Sequence, residues 1–145
     1  MCIRDSASGL SFAGLTFGRT DPIDRVTGWD RLAAEVAARA RAYPQATIMT
    51  DDRTLTAAMV YYLRDEGRRV VAWNPGGSDD IVTAMVPPVD RETGRDVLYL
   101  PVVFDPDAVA GSFARREELP PVQAAPRSGI PRVVRVVHLQ DYHGR

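Results

Sequence analysis

Two adjacent carboxylates and an arginine stand between an apolar stretch and an amphipathic one in the first half of the chain. These residues are Asp51, Asp52 and Arg53. Carboxylates at such a junction can bind Mg²⁺ or accept a proton. Acidic side chains also suit the start of a helix, because the first helical amides lack partners and the helix dipole is positive there. We predict that Asp51 and Asp52 cap a helix and that Arg53 is available to pair with one of them.

Two further polar residues follow other predicted strands and widen this candidate site. Asn74 and Asp105 each come directly after an apolar stretch. A metal-dependent phosphoesterase using Asp51, Asp52 and Asp105 is therefore a weaker alternative, although no recognised spacing joins these residues. We predict no catalytic residue, and we treat Asp51, Asp52, Arg53 and Asn74 as a possible polar patch at the strand ends.

Other signatures of metal or cofactor chemistry are missing from the sequence. His138 and His143 lie within the last eight residues without a third ligand at metal spacing, and Cys2 is the only cysteine. No glycine-rich nucleotide-binding motif and no G-x-S-x-G nucleophile motif occurs. We therefore predict neither a metal site nor a cofactor.

The residues around the acidic pair predict helix, strand, helix and strand in that order. An apolar stripe at helical spacing runs from Trp29 to Ala40, with Thr27 as N-cap and Pro44 as the stop. Residues 47–50 form a short apolar strand, and a second helical stripe ends at the stop signal Gly67. Residues 69–73 form the next strand. This order is typical of a parallel sheet with crossover helices.

The second half of the chain predicts a strand, a helix, a loop and a last strand. Residues 96–104 form a strand that Pro101 limits to an edge or a bend. Asp105 and Pro106 open a helix of about three turns through Arg116. Residues 119–131 form a proline-rich surface loop, and residues 132–139 form an edge strand.

The predicted fold class is α/β: a three-layer, Rossmann-like domain with helices on both faces of the sheet. The sheet is mostly parallel, has four to five strands and carries a C-terminal edge strand. The length of 145 residues suits one domain. The chain has 19 acidic and 18 basic residues, so it lacks the excess of positive charge that would favour binding to nucleic acid. No run reaches the roughly 20 apolar residues that cross a bilayer.

The first residues differ in character from the rest. The opening MCIRDS resembles a translated transposon end from sequencing-library preparation, so we expect residues 1–6 to be a non-native scar. We expect residues 7–18 to be the remnant of an upstream segment that has been lost. Residues 19–145 then form a single α/β domain.

Five stretches, taken in order, resemble the C-terminal part of one enzyme family. They are DPIDRVTGWDRLAAEVAARA, ATIMTDDRTLTAAMVYYLRD, VVAWNP, MVPPVDRETGRDVLYLPVV and VVHLQDYHG. The family is the bacterial family 39 glycosyltransferases, membrane enzymes similar to protein mannosyltransferases and lipid A aminoarabinose transferases. The match covers residues 19–145. One departure follows WNPGG, where SDDIVTAM replaces an expected aromatic and histidine-containing element.

The resemblance implies a parent in the bacterial inner membrane that transfers a sugar from a polyprenyl-phosphate carrier to an acceptor. It implies that this chain is an accessory domain on the periplasmic side, packed on the missing transmembrane region of its own chain. No position matches the family's catalytic loop, so the fragment alone is expected to be inactive. The alternative is an independent soluble α/β module that binds a small molecule or nucleotide at the carboxyl ends of the strands.

Overall fold

The computed structural model describes residues 10–12, 15–17, 28–76, 86–92, 94–125 and 131–144. Two three-residue strands, β1 (Leu10–Phe12) and β2 (Leu15–Phe17), pair antiparallel as a small separate sheet. The remaining elements in chain order are α1 (Trp29–Ala40), β3 (Thr47–Thr50), α2 (Arg53–Tyr62), β4 (Val70–Ala72), β5 (Val97–Leu100), α3 (Pro106–Ala110), β6 (Phe113–Ala124) and β7 (Arg132–Tyr142). Two short 3₁₀ segments, Arg64–Glu66 and Val89–Glu92, lie between them.

The main sheet is open and five-stranded, with the strand order β4–β3–β5–β7–β6. Strand β3 pairs in parallel with β4 on one side and with β5 on the other. Strand β7 runs antiparallel to both β5 and β6. The protein is therefore a mixed α/β fold in which the sheet is only partly parallel.

Helix α1 forms where the apolar stripe predicts it. Leu32 and Val36 are buried on its inner side together with Ala33, Ala37 and Ala40. Its N-cap is Gly28 at φ 85°, without a side-chain capping bond, whereas the predicted cap, Thr27, lies outside the described residues. The left-handed backbone at this cap favours glycine, which has no Cβ to clash there.

The predicted strand, helix and strand after α1 are also confirmed. Helix α2 buries Leu55, Ala58 and Met59, and Leu63 directly after it is buried as well. Tyr62, which follows Met59 at helical spacing, remains 38% exposed. Gly67 ends the following 3₁₀ segment in the left-handed conformation at φ 65°. The chain can therefore reverse into β4.

Successive residues of each strand point to opposite faces of the sheet, and the core is divided accordingly. Helices α1 and α2 pack on the face that carries Ile48, Leu98 and Val136. The opposite face carries Met49, Val71, Tyr99 and Val137, and it is covered by Val109 of α3 and by Val89. Both faces of the central strands are thereby buried.

The prediction for residues 105–125 is largely wrong, and residues 126–130 of the predicted loop lie outside the described residues. Asp105 and Pro106 do open a helix, but it ends at Ala110, and residues 113–124 form β6 instead of helix and loop. Leu119 and Val122 are buried under α1, which outweighs the helical propensity of the charged run before them. Pro120 and Pro121 lie in a register shift of this edge strand, where a missing amide costs little.

The two remaining strands lie inside the sheet. Strand β5 ends at Leu100 and the chain bends after Pro101, which is the second of the two predicted alternatives, while β5 itself has a neighbouring strand on each side. The prediction that β7 is an edge strand is wrong, because β6 pairs along its outer side. Arg135 is exposed and pairs with Glu118 on β6, whereas His138 is buried.

Candidate functional site

Asp51 lies directly after β3, and its carboxylate accepts hydrogen bonds from the loop that follows β5. The hydroxyl of Tyr99 donates to Oδ2 at 2.6 Å. The amides of Val102 and Phe104 donate to Oδ1 and Oδ2, each at 2.9 Å, and the amide of Val103 lies 3.2 Å from both oxygens. We call this arrangement the Asp51 clamp. It holds three consecutive amides that the sheet leaves without ladder partners.

Strand register explains why the clamp forms. Met49 lies opposite Tyr99 in the parallel pair β3/β5, so Asp51 is two residues further along and faces the same side of the sheet. The hydroxyl of Tyr99 therefore reaches the carboxylate along one face. Pro101 follows the last residue of β5, and the chain turns so that its next three amides point at the same carboxylate.

The phenol of Tyr99 remains a hydrogen-bond donor throughout the ordinary pH range. Burial raises the pKa of Tyr99 well above its usual value, and the hydrogen bond to Asp51, the Asp51 charge and the Asp105 charge raise it further. A phenol that keeps its proton donates to a carboxylate and is poorly suited to act as a general base near neutral pH.

Asp52 caps α2, as predicted. Its Oδ1 accepts the amide of Leu55 at 2.8 Å, and its backbone is extended at φ −115° and ψ 136°. The Thr56 hydroxyl donates to the carbonyl oxygen of Asp52 and lies 2.6 Å from the Thr50 hydroxyl. The start of the helix is thus tied both to its cap and to the end of β3.

The other predictions for the polar patch are only partly met. Asp51 does not cap α2, because its carboxylate serves the loop after β5. Arg53 is exposed, and no ion pair joins it to Asp51 or Asp52 within the described part of the chain, so its availability to either acid stays a prediction. The amide of Trp73 donates to the carbonyl of Thr50, which brings the half-buried Asn74 to the same end of the sheet.

Asp105 is engaged locally as the cap of α3. Its Oδ1 accepts the amide of Asp107 at 3.0 Å, and its charge acts on Tyr99. Sequence reasoning missed Tyr99 and the amides of residues 102–104 as partners of Asp51. The sequence did contain one relevant signal, a tyrosine in a strand that ends shortly before a proline. Identifying Asp51 as its partner, however, required the register of β3 against β5.

The clamp occupies the position where open α/β sheets usually bind ligands. After β3 the chain passes through α2 on one face to β4, and then returns past Val89 on the other face to β5. The helices that follow β3 and β5 lie on opposite faces of the sheet, and open α/β sheets usually bind ligands at the carboxyl ends of such neighbouring strands. The Asp51 carboxylate, the Tyr99 hydroxyl and the three amides lie at those strand ends.

Neither a metal centre nor a known relative emerges for this site. Among the described residues, no group of three or more His, Cys, Asp or Glu side chains is arranged to hold a metal ion. Within the same ranges, no helix has both the length and the apolar character that crossing a bilayer requires. The chain matches no protein-family model, no curated protein and no solved structure.

Proposed function

We propose that this chain is an accessory extramembrane domain of a membrane glycosyltransferase that transfers a sugar from a polyprenyl-phosphate carrier to an acceptor. The domain lies on the periplasmic side of the bacterial inner membrane and packs on the transmembrane region of its own parent chain. Bond formation belongs to that region, and the present chain alone transfers no sugar. The finer fold assignment, a three-layer Rossmann-like domain with a mostly parallel sheet, belongs to the same proposal.

The observation that carries the proposal is the Asp51 clamp. A carboxylate at the strand ends is the strongest candidate for chemistry in the sequence, yet both of its oxygens accept hydrogen bonds from its own fold. Asp52 is engaged in the same way by the first turn of α2. Acids that are committed to internal amides suit a scaffold better than a reaction centre.

The motif residues behind the family resemblance have structural roles as well. In the first quoted stretch, Gly28 supplies the left-handed cap of α1, and Trp29 stacks under the guanidinium of Arg132, whose central carbon lies 4.2 Å from the ring centre. In the second quoted stretch, Asp51 holds the loop after β5 and Asp52 holds the start of α2. These roles support an accessory domain in which the residues that carry the resemblance maintain the fold.

The alternative function, a soluble module that binds a small molecule or nucleotide, is favoured by one observation. Strands β3 and β5 are neighbouring parallel strands followed by helices on opposite faces, and open α/β sheets usually bind ligands at such a place. The Asp51 clamp counts against the alternative, because the amides that would hold a phosphate are already donating to a carboxylate. We therefore rank the module second.

The reading frame ahead of this chain in its source genome tests the proposal most simply. We expect a continuous frame that encodes many membrane-spanning segments. The enzyme made from that complete frame should consume a polyprenyl-phosphate-linked sugar, and the present chain alone should not. A stop codon and a translation start shortly before Leu10 would contradict the proposal.

Binding measurements on the chain itself separate the alternative from the proposal. Titration with nucleoside phosphates, with and without Mg²⁺ or Mn²⁺, should give no saturable binding, and a generic phosphate ester should not be hydrolysed. Saturable binding that Asp51→Asn abolishes, without loss of folding, would favour the module.

A further inference from the structure

His138 is a buried histidine that the proposed function does not use. Its side chain is 7% exposed, and its ring packs against that of Tyr43 with centres 4.5 Å apart. It lies on β7 opposite Leu98 of β5 and Glu117 of β6, on the face that α1 covers. A polar ring in this position needs partners for both nitrogens.

Two carboxylates face the two nitrogens of this ring from opposite sides. Nε2 lies 3.5 Å from Oδ2 of Asp96, and Nδ1 lies 3.6 Å from Oε2 of Glu117. Nδ1 is buried and has no hydrogen-bond partner within the described part of the chain. Because the carboxylates face different nitrogens, one metal ion cannot bridge all three groups.

A neutral imidazole cannot satisfy both sides of this arrangement. It carries one N–H, so only one nitrogen can donate and the other presents a lone pair to a carboxylate. With the proton on Nε2, the buried Nδ1 and Glu117 are two acceptors facing each other. A doubly protonated ring donates from both nitrogens, and its charge is balanced by a carboxylate on each side.

We propose that His138 is a protonation-dependent link between β5, β6 and β7 that is complete only when its imidazole is doubly protonated. The segment ahead of β5 contributes Asp96, which β7 also anchors, since the amide of Asp141 donates to Oδ1 of Asp96 at 3.2 Å. Protonation thus ties the final hairpin to the parallel part of the sheet. This proposal is independent of the proposed glycosyltransferase role.

Two arginines on neighbouring segments donate to backbone carbonyls. Arg39 of α1 donates to the carbonyl of Pro120 on β6, and Arg68 donates to the carbonyls of Ala40, Tyr43 and Pro44. The Tyr43 ring contributes a packing face. Asp96 and Glu117 are therefore the charged groups that respond most directly to protonation of the ring, and both favour the charged form.

The sign of the pH effect follows from this geometry. Burial disfavours a charged ring, whereas two carboxylates at 3.5 Å and 3.6 Å favour it. The doubly protonated ring can donate to both carboxylates, whereas the neutral ring can donate to only one of them. The contribution of His138 to stability is then present in mildly acidic solution and is lost as the pH rises.

Urea unfolding of the full chain at about pH 5.5 and about pH 8 tests the proposal, since histidine changes charge in this range. We expect His138→Gln to raise the unfolding equilibrium constant several-fold more at the lower pH than at the higher pH. His143→Gln, which removes an exposed histidine, is the matched control and should have the same small effect at both pH values. An effect of His138→Gln that is equal at both pH values, or larger at about pH 8, overturns the proposal.

Glu117→Gln provides a second test that leaves the core intact, because the Glu117 side chain is 62% exposed. This variant keeps His138 but removes one of the two carboxylate charges that face its ring. We expect it to reduce the extra stability of the wild-type protein at about pH 5.5 while changing little at about pH 8. If His138→Gln does not fold, Glu117→Gln alone tests the proposal. A stability that depends on pH in the same way as that of the wild-type protein would then reject the link.

Discussion

Asp51 and Asp52 are neighbours in the chain, but their carboxylates serve different parts of the fold. Asp52 accepts one amide from the first turn of α2, which is a local contact three residues along the chain. Asp51 accepts amides about fifty residues away, in the loop after β5. Only the first role follows from local sequence, because a capping position can be recognised without knowledge of strand pairing.

Substitutions at these two positions should therefore differ in cost. Asp52→Ala should lower the free energy of unfolding by about 1 kcal/mol, as lost helix caps do. Asp51→Asn removes the charge that several donors share, and we expect a loss of about 1.5 to 3 kcal/mol. Urea unfolding at neutral pH measures both values. A smaller loss for Asp51→Asn than for Asp52→Ala would contradict the assignment of the clamp.

Tyr99 should make stability fall in alkaline solution. Burial and Asp51 raise the pKa of Tyr99 in the folded state, whereas the unfolded chain releases this proton near the usual value of about 10. The raised pKa stabilises the folded protein fully below that value and progressively less above it. We therefore expect the wild-type protein to lose more stability than Tyr99→Phe between about pH 8 and about pH 11.

The control for this comparison is Tyr61→Phe, because the Tyr61 side chain is 60% exposed. This variant should lose stability between the two pH values as the wild-type protein does. Urea unfolding at each pH supplies the measurement. If the wild-type protein and Tyr99→Phe lose the same free energy of unfolding in alkaline solution, the Tyr99 phenol is not held by the clamp.

At the scale of elements, the parts of the chain with one periodic stripe were predicted correctly. Helices α1 and α2 each present apolar residues at helical spacing, and β3 and β4 are short apolar runs between turn signals. The region from residue 113 to 124 was predicted wrongly, because its charged run is typical of a helix and its prolines are typical of a loop. Its strand pairing depends on β7 and on burial under α1, which local patterns do not encode.

The glycine that separates α2 from β4 offers a prediction at this scale. Gly67 has φ 65°, and a Cβ added there would have open space within 4 Å, so the cost of a side chain is backbone strain alone. We expect Gly67→Ala to lower the free energy of unfolding by about 1 to 2 kcal/mol.

Gly111 is the matched control, because it follows α3 with an ordinary φ of −60°. The nearest neighbour of an added Cβ there is the Ala108 carbonyl oxygen at 3.4 Å. Gly111→Ala should change stability by less than about 0.5 kcal/mol. Thermal or urea unfolding of both variants measures the difference, and equal effects would count against the left-handed turn at Gly67.

For the whole molecule, strand order determines what the polar residues can do. The sequence predicts a mixed helix and strand protein and the strand-end position of the acids, but not that β3 lies between β4 and β5. That order places β3 beside β5, and the register between these two strands directs Asp51 to Tyr99 and to the loop. Long-range pairing of this kind is decided by packing of the complete sheet, so the clamp could not be read from local pattern.

Amide hydrogen exchange of Val102, Val103 and Phe104 tests the central claim, that Asp51 is a structural clamp, most directly. In the wild-type protein these three amides donate to one carboxylate, so we predict slow exchange although two of the three residues are exposed. Asp51→Asn should speed exchange at all three, whereas Asp52→Ala should leave them protected. Fast exchange in the wild-type protein, or protection that survives Asp51→Asn unchanged, would contradict the account.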